Sequence, residues 1–287
     1  MSAPTVELTQ VTAPNRTAEA ANGVSYAYRR YGDGERGAPP VLFLQHFRGN
    51  LDNWDPMLVD PIASQREVIL LDNAGVGGST GTTPRTFTAM AQDALAFVDA
   101  LGLRTLDVFG FSIGGFVAQE LTLMRPQLVR RLVLAGTGPQ GGERMHRWAP
   151  DVYDLAMADE QGAEHLLALF FDRSPDSVAR GWEFVERIFT RTEDRDEPVT
   201  LAARDAQIDA ISTWGIPDPT RLHRLAGITQ PTLVANGDND VMVPTPNTRL
   251  LAERLPNAQL SLYPGANHGF LFQYPAEFAA EVNAFLG

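Results

Sequence analysis

The chain has 287 residues and a formal net charge of −12, and 44% of its residues are hydrophobic. This composition is typical of a globular protein, and the excess of acidic residues argues against nucleic acid or an anionic membrane as a partner. The chain contains no cysteine, which excludes disulfide bonds, thiolate metal sites and a cysteine nucleophile.

The opening segment lacks the pattern of a signal peptide. It has neither a basic start followed by an apolar stretch nor a small-residue cleavage site. No run of about 18 apolar residues, the length that a membrane-spanning helix needs, occurs along the chain. We therefore expect a cytoplasmic protein.

Short apolar runs alternate with segments of helical periodicity. The runs predict buried strands over residues 41–45, 68–71, 106–109, 132–135, 232–235 and 260–263. Helical patterns follow several of them, over residues 87–101, 113–124, 246–255 and 276–286. This alternation predicts an α/β fold with a doubly wound, mostly parallel sheet.

The alternation stops between residues 141 and 225, where amphipathic helical patterns dominate. We predict a helical cap over residues 141–225, inserted into an α/β core formed by residues 1–140 and 226–287. Most apolar residues of such a cap pack in its interior. A few should line a substrate pocket, and the candidates are Phe170, Trp182, Phe189 and Trp214.

The motif G-x-S-x-G directly follows the predicted strand 106–109. It runs from Gly110 to Gly114 with Ser112 at its centre, and a helical pattern begins immediately after it. Strand, sharp turn and helix are the setting of a nucleophile elbow, in which the glycines allow a strained serine to expose its hydroxyl. Ser112 is therefore the candidate nucleophile.

A serine hydroxyl needs an adjacent base, which in turn needs an orienting acid. His268 follows the last predicted strand on a glycine-containing loop, at the sheet edge where α/β sites assemble. The strand 232–235 leads to two aspartates, Asp238 and Asp240, and position alone leaves the acid open between them.

With these motifs the chain resembles the α/β-hydrolase family from about Asn22 to its end, apart from the cap. In that family the acid is commonly the aspartate of a pattern Gly, two residues, Asp, two residues, Val-Pro. Gly237, Asp240 and the Val-Pro pair at 243–244 match it. The resemblance thus implies Asp240 as the acid and a triad in the order Ser, Asp, His.

The resemblance also implies an oxyanion hole. One donor should be the backbone N–H of Ile113. The second should come from the loop after the first predicted strand, where the family commonly has His-Gly followed by an apolar residue. This chain has Gln45, His46 and Phe47 there. Phe47 is then expected to supply the N–H, and His46 is either a substrate contact or a wall of the loop.

Two further glycine-rich segments fit structural roles. Asp72, Gly75, Gly77 and Ser79 match a family signature after the second predicted strand and should support the elbow. The spacing G-x-G-x-x-G over residues 136–141 superficially resembles a dinucleotide site, but prolines and glycines after it disfavour the helix that such a site opens. We expect no cofactor, and no histidine and carboxylate cluster has the spacing of a metal site.

These residues predict a serine hydrolase that cleaves a small or medium carboxylic ester or lactone through an acyl-serine intermediate. A C–C bond hydrolase and a cofactor-free perhydrolase use the same triad and stay open. A ligand receptor with slow turnover is an alternative of another class. The expected partner is the small-molecule substrate, with a homodimer possible and no nucleic acid or membrane contact.

Overall fold

A computed structural model describes residues 8–34 and 37–287 of the chain. Within these residues one sheet contains the strands β1 (Arg16–Glu19), β2 (Ser25–Gly32), β3 (Val41–Leu44), β4 (Glu67–Leu71), β5 (Leu106–Phe111), β6 (Val129–Ala135), β7 (Thr232–Gly237) and β8 (Ala258–Tyr263). Their spatial order is β1-β2-β4-β3-β5-β6-β7-β8. Strand β2 runs antiparallel to β1 and β4, and the other neighbouring pairs are parallel.

The helices in the described ranges are α1 (Pro56–Ala63), α2 (Phe87–Ala100), α3 (Ile113–Met124), α4 (Pro150–Ala156), α5 (Ala163–Phe170), α6 (Pro175–Ile188), α7 (Leu201–Trp214), α8 (Thr245–Arg254), α9 (Phe270–Gln273) and α10 (Pro275–Leu286). Thr86, Ser174 and Thr200 cap α2, α6 and α7, because each side chain accepts a backbone N–H of the first turn. In the part of the chain that is described, none of the helices has the length and apolarity needed to span a membrane.

The sheet winds outward in two directions from β3. Strand β3 lies between β4 and β5, so the chain first builds one side of the sheet and then returns to build β5 to β8 on the other. Every residue of β3, β5 and β7 is buried, and because successive strand residues point to opposite faces, both faces are covered. The predicted doubly wound, mostly parallel sheet is confirmed. Its switch point, where such sheets bind ligands, lies between the carboxyl ends of β3 and β5.

The predicted strands correspond to β3 to β8, and the predicted helices to α2, α3, α8 and α10. The predicted burial of the strand over 260–263 is wrong: β8 lies at the edge of the sheet, and its residues are half-buried or exposed. Strands β1 and β2 were not predicted, because Arg29 and Arg30 interrupt the apolar pattern of β2. Arg29 is nevertheless fully buried. Its guanidinium donates to Asp52 at 2.6 Å, so an ion pair allows burial of a charge that the pattern assigns to solvent.

The segment between β6 and β7, residues 136–231, contains α4 to α7 and is hereafter called the insertion. All of it is described, and no strand occurs in it. Its contacts with the sheet side of the molecule include two hydrogen bonds from Arg187 to the Asp55 carboxylate. They also include the stacking of Phe184 on Phe272, at 4.3 Å between ring centroids. The division into a cap and a core stays a prediction, and residues 1–7 and 35–36 of that core lie outside the described residues.

Candidate active site

Ser112 occupies the sharp turn between β5 and α3. Its backbone has φ 55° and ψ −119°, a conformation that is strained for a residue with a Cβ. A Cβ at Gly110 would lie 2.5 Å from the carbonyl oxygen of Gly114, and a Cβ at Gly114 would lie 2.0 Å from that of Leu44. Only glycine permits these approaches. The two glycines therefore let β3, β5 and α3 hold Ser112 in its strained turn.

His268 and Asp240 form a hydrogen-bonded pair whose side chains are fully buried. Nδ1 of His268 lies 2.7 Å from Oδ2 of Asp240. The other carboxylate oxygen of Asp240 accepts the backbone N–H groups of Met242 and Val243 at 2.8 and 2.9 Å. Because a carboxylate can only accept, Nδ1 of His268 carries the proton and Nε2 has the lone pair.

The loops that carry this pair are locked together by Asn267, which the sequence reasoning missed. Its side-chain oxygen accepts the N–H groups of Val241 and His268 at 2.9 and 2.8 Å, and its amide donates to the carbonyl of Phe171 in the insertion. Asp238, the alternative acid, is exposed. The geometry thus puts Asp240 beside His268, and the signal for Asn267 was its place directly before that histidine.

The loop after β3 is closed by Gln45. Its side-chain oxygen accepts the His46 N–H at 2.9 Å, and its amide donates to the Asn50 carbonyl at 3.0 Å.

Two backbone N–H groups, of Phe47 in this loop and of Ile113 in the elbow, donate to no acceptor within the described chain. Strands β3 and β5 are neighbours, so both free donors lie at the switch point of the sheet. Free N–H groups of this kind are what an oxyanion requires.

Arg48 fastens the same loop to the insertion, a role that the sequence did not reveal. Its φ is 60°. Its backbone N–H donates to the side-chain oxygen of Gln207 at 2.9 Å. Its guanidinium donates to the carbonyls of Ala156, Ala158 and Asp159. The position of the Phe47 N–H therefore depends on contacts with α7 and with the segment after α4.

His46 is buried near the Asp240–His268 pair, with 2% of its surface exposed. Its Nδ1 lies 2.8 Å from the carbonyl oxygen of Phe47, and its ring meets the rings of Phe111 and Phe170 edge to face. Burial lowers the pKa of His46 to about 3, because desolvation penalises the charged imidazolium. The ring is therefore neutral at physiological pH.

A small cavity joins these groups. Five of its lining residues belong to the loops that follow the strands: His46, Phe47, Ser112, Met242 and His268. The others belong to the insertion, three of them to α5: Gln161, Leu166, Leu169 and Phe170. The volume of the cavity is about 10 Å³, which is room for one water molecule. A substrate can reach Ser112 only after the side chains from the insertion have moved.

Ser112 and His268 face this cavity without a hydrogen bond between them. Nε2 of His268 is buried and has no partner among residues 8–34 and 37–287. Catalytic hydrogen bonds are often long before a substrate binds. The structure therefore brings the nucleophile and the base of the predicted triad to one cavity, and it pairs the base with the acid.

Comparison with known proteins identifies the family. The model of the α/β hydrolase fold family matches residues 39–275. The chain belongs to the α/β-hydrolase fold family. It is 28% identical over 249 residues to the putative carbamate hydrolase RutD of Azorhizobium caulinodans, an alignment that covers 86% of this chain and 91% of that protein.

Two solved structures resemble this α/β hydrolase. An α/β hydrolase fold protein from Chitinophaga pinensis has a TM-score of 0.90 and 40% identity, and the match covers 97% of this chain and 99% of that chain. The structure of Est816, described as an N-acyl homoserine lactone degrading enzyme, has a TM-score of 0.71 and 27% identity. That match covers 94% of this chain and 100% of the other.

Three aromatic residues that the sequence suggested for the substrate pocket of this α/β hydrolase lie elsewhere. Trp182 and Phe189 are exposed by 45% and 54%, and Phe189 carries the guanidinium of Arg195 over its ring. Trp214 is buried, but it stacks on Phe116 at the far end of α7. Helical periodicity does not tell which face of a helix meets a cavity, and this is why these residues differ from Phe170.

The two other glycine-rich segments have local structural contacts. Asp72 accepts the N–H groups of Leu51 and Gly78, and the Ser79 hydroxyl donates to the Asp72 carbonyl. The glycine run 136–141 opens no helix, since α4 begins at Pro150. Across the described residues, no group of three or more histidines and carboxylates could hold a metal ion.

Proposed function

We propose that this protein is a serine hydrolase that cleaves a small or medium carboxylic ester or lactone through an acyl-enzyme on Ser112. The observation that carries the proposal is the Asp240–His268 hydrogen bond of 2.7 Å. It leaves the lone pair of His268 Nε2 free, and His268 lines the same cavity as the strained Ser112. Membership of the α/β-hydrolase family supports the hydrolase class.

In the proposed reaction His268 takes the hydroxyl proton as Ser112 Oγ attacks the substrate carbonyl carbon. Protonated His268 then gives that proton to the leaving oxygen as the C–O bond breaks, which produces the acyl-serine. Asp240 holds the Nδ1–H and stabilises the imidazolium while it is charged. Water then attacks the acyl carbon while His268 takes a proton from it. His268 returns that proton to Ser112 Oγ as the bond between Oγ and the acyl carbon breaks, which releases the carboxylic acid and restores the serine.

The carbonyl oxygen becomes negative in both steps. We assign its stabilisation to the backbone N–H groups of Phe47 and Ile113, which have no other acceptor within the described residues. Preorganised donors of this kind are worth about 10²–10³ in rate for each one that is removed. Gln45 and Arg48 act through Phe47, because they set the shape of its loop.

Two cavities bear on the size of the substrate. The cavity at Ser112 has a volume of about 10 Å³, so little of the substrate fits before the insertion moves. A larger pocket of about 430 Å³ lies in the insertion and includes Trp148, whose ring is 5.6 Å from that of Phe47. We assign this pocket to the apolar part of the substrate. The proteins named for a carbamate and for a lactone are consistent with cleavage of an acyl bond.

The test is turnover of short p-nitrophenyl esters and γ-lactones by Ser112→Ala. We expect the variant to lose at least about 10³-fold in kcat, because the nucleophile is absent. Ser64→Ala is the matched control: this serine is exposed, and its hydroxyl donates to the Pro61 carbonyl. Turnover by Ser112→Ala equal to that of the control would refute the proposal.

A further inference from the structure

We propose that His46 is a specificity-determining acceptor that selects substrates with a hydroxyl or amide N–H close to the reacting carbonyl. This inference rests on the proposed function, because it concerns the substrate of that site. It starts from a buried polar atom without a partner. Nε2 of His46 lacks any hydrogen bond among the residues that the structure describes.

The backbone fixes which nitrogen of His46 carries the hydrogen. Nδ1 lies 2.8 Å from the Phe47 carbonyl, and a carbonyl oxygen can only accept. Nδ1 is therefore the donor. The ring is neutral because it is fully desolvated, so Nε2 has a lone pair and no proton. His46 thus presents one fixed acceptor to its surroundings.

No group among the described residues donates to this acceptor. The ring lies edge to face against Phe111 and Phe170, and the polar residues that line the cavity with His46 are Ser112, Gln161 and His268. The Gln161 amide makes no hydrogen bond to His46 Nε2. The nearby Ser112 hydroxyl is required by Nε2 of His268 during the proposed reaction. A buried acceptor that stays unpaired costs free energy, and this cost is removed when a bound substrate donates to Nε2 of His46.

The chemistry of the acceptor defines the class of substrate. An alcohol O–H or an amide N–H can donate to a neutral imidazole nitrogen. A carboxylate or an ether oxygen would instead place lone pair against lone pair, and a neutral ring offers no charge to attract an anion. We infer an ester or lactone that carries a hydroxyl or amide N–H, rather than an acidic or wholly aliphatic one.

The test compares ethyl butyrate with ethyl 2-hydroxybutyrate and ethyl 3-hydroxybutyrate and with the methyl ethers of both. The methyl ethers keep the oxygen and remove the donor. A second series compares 2-hydroxyethyl butyrate, which carries the donor on its alcohol side, with 2-methoxyethyl butyrate, which lacks it. A third series compares N-butyryl homoserine lactone, which has an amide N–H, with γ-butyrolactone, which has none. In at least one series, we expect kcat/KM for the substrate with the donor to exceed that for its donor-free partner by about 10- to 100-fold.

The variant His46→Phe keeps a ring between its aromatic neighbours and removes the acceptor, so it should abolish that preference. His46→Gln retains an acceptor and should restore part of it. His223→Phe is the control, since His223 is exposed. A merely structural His46 would lower turnover of donor and ether substrates by the same factor. That result, or no donor preference in any series, would overturn the inference.

Labelling separates this inference from the proposed function. An alkyl fluorophosphonate carries no hydrogen-bond donor and reacts with an activated serine, so it should label Ser112 in the wild type and in His46→Phe. Labelling together with equal kcat/KM for all esters would overturn the role of His46 and leave the serine hydrolase standing. The absence of labelling in the wild type would overturn both.

Discussion

The strand-end loops of the sheet and the insertion contribute to the same cavity in different ways. Ser112, Asp240 and His268 all follow strands of the sheet, whereas the side chains that close the cavity come from the insertion. The first set is held by backbone contact, as at Gly114 and Gly237, where a Cβ would lie 2.0 and 2.2 Å from a carbonyl oxygen. On the proposed function, the strand-end loops supply the reacting groups and the insertion controls which molecules reach them.

The insertion is joined to the strand-end loops by side-chain contacts and by one close backbone contact. Arg48 donates to carbonyls on the segment after α4, and Asn267 donates to the carbonyl of Phe171. The backbone N–H of Gly269 donates to the Phe170 carbonyl at 2.8 Å. Side-chain contacts of this kind can break and form again while the sheet stays intact. Changes in the strand-end loops should thus alter the rate, and changes in the insertion should alter selectivity.

The largest effect is expected in the strand-end loops, at Asp240→Asn. The amide can still accept the N–H groups of Met242 and Val243, but it no longer fixes the tautomer and charge of His268. We expect kcat to fall by about 10⁴-fold with the fold intact. The measurement is steady-state hydrolysis of a p-nitrophenyl ester together with thermal unfolding. Asp238→Asn is the control, and a similar loss in that exposed neighbour would contradict the assignment of the acid.

A smaller effect is expected where the two regions meet, at Arg48→Met. Loss of the three guanidinium contacts frees the loop of Phe47, and a displaced oxyanion donor should lower kcat by about 10- to 100-fold with little change in KM. Arg48→Lys can restore one contact and should recover part of the rate. Arg249→Met, on the exposed face of α8, should behave like the wild type. A change confined to KM would show that Arg48 does not position the loop.

Within the insertion, Phe170→Ala should change selectivity more than rate. Its ring meets those of His46 and His268, so its removal enlarges the cavity above Ser112. We expect kcat/KM for p-nitrophenyl hexanoate relative to the butyrate to rise by about tenfold. Phe184→Ala removes an equally buried ring away from the cavity and should leave that ratio unchanged. Equal shifts in both variants would mean that the insertion does not set substrate size.

The smallest effect is expected on the stability of the protein. It concerns two carboxyl groups, those of Asp72 after β4 and of Asp196 in the insertion, which both accept the Leu51 N–H. Burial and the charge of Asp196 raise the pKa of Asp72, and burial and the charge of Asp52 raise the pKa of Asp196. The folded protein therefore binds more protons here than the unfolded chain above about pH 4. Its free energy of unfolding should decrease as the pH rises through the raised values.

Asp196→Asn removes one carboxyl of the pair. As the pH rises through the raised pKa values of the pair, the variant should gain in its free energy of unfolding relative to the wild type, because it has one fewer buried carboxyl to ionise. Urea unfolding at several pH values measures this difference. Asp194→Asn, at an exposed position of the same segment, should show a constant difference. A stability difference for Asp196→Asn that does not change with pH would show that the pair shares no proton.

The contrast between the two regions also explains what the sequence could predict. Short apolar runs and the elbow motif are local patterns, so β3 to β8 and the surroundings of Ser112 followed from the residues alone, although β8 is partly exposed at the sheet edge. The contacts of Arg48 and Asn267 join segments that are distant along the chain, and no local pattern encodes them. Trp182 and Phe170 both lie in helical patterns, and only the packing of α5 and α6 decides which one meets the cavity.

The covalent intermediate proposed on Ser112 can be trapped by rapid acid quenching. Wild-type protein is mixed with p-nitrophenyl butyrate, quenched within one turnover, digested and analysed by mass spectrometry. We predict a butyryl group on Ser112 of the wild-type protein. In the Asp240→Asn variant, the same acyl-enzyme should accumulate if the substitution slows its hydrolysis. If p-nitrophenol is released and the butyryl group is found on another residue, or on none, Ser112 is not the nucleophile.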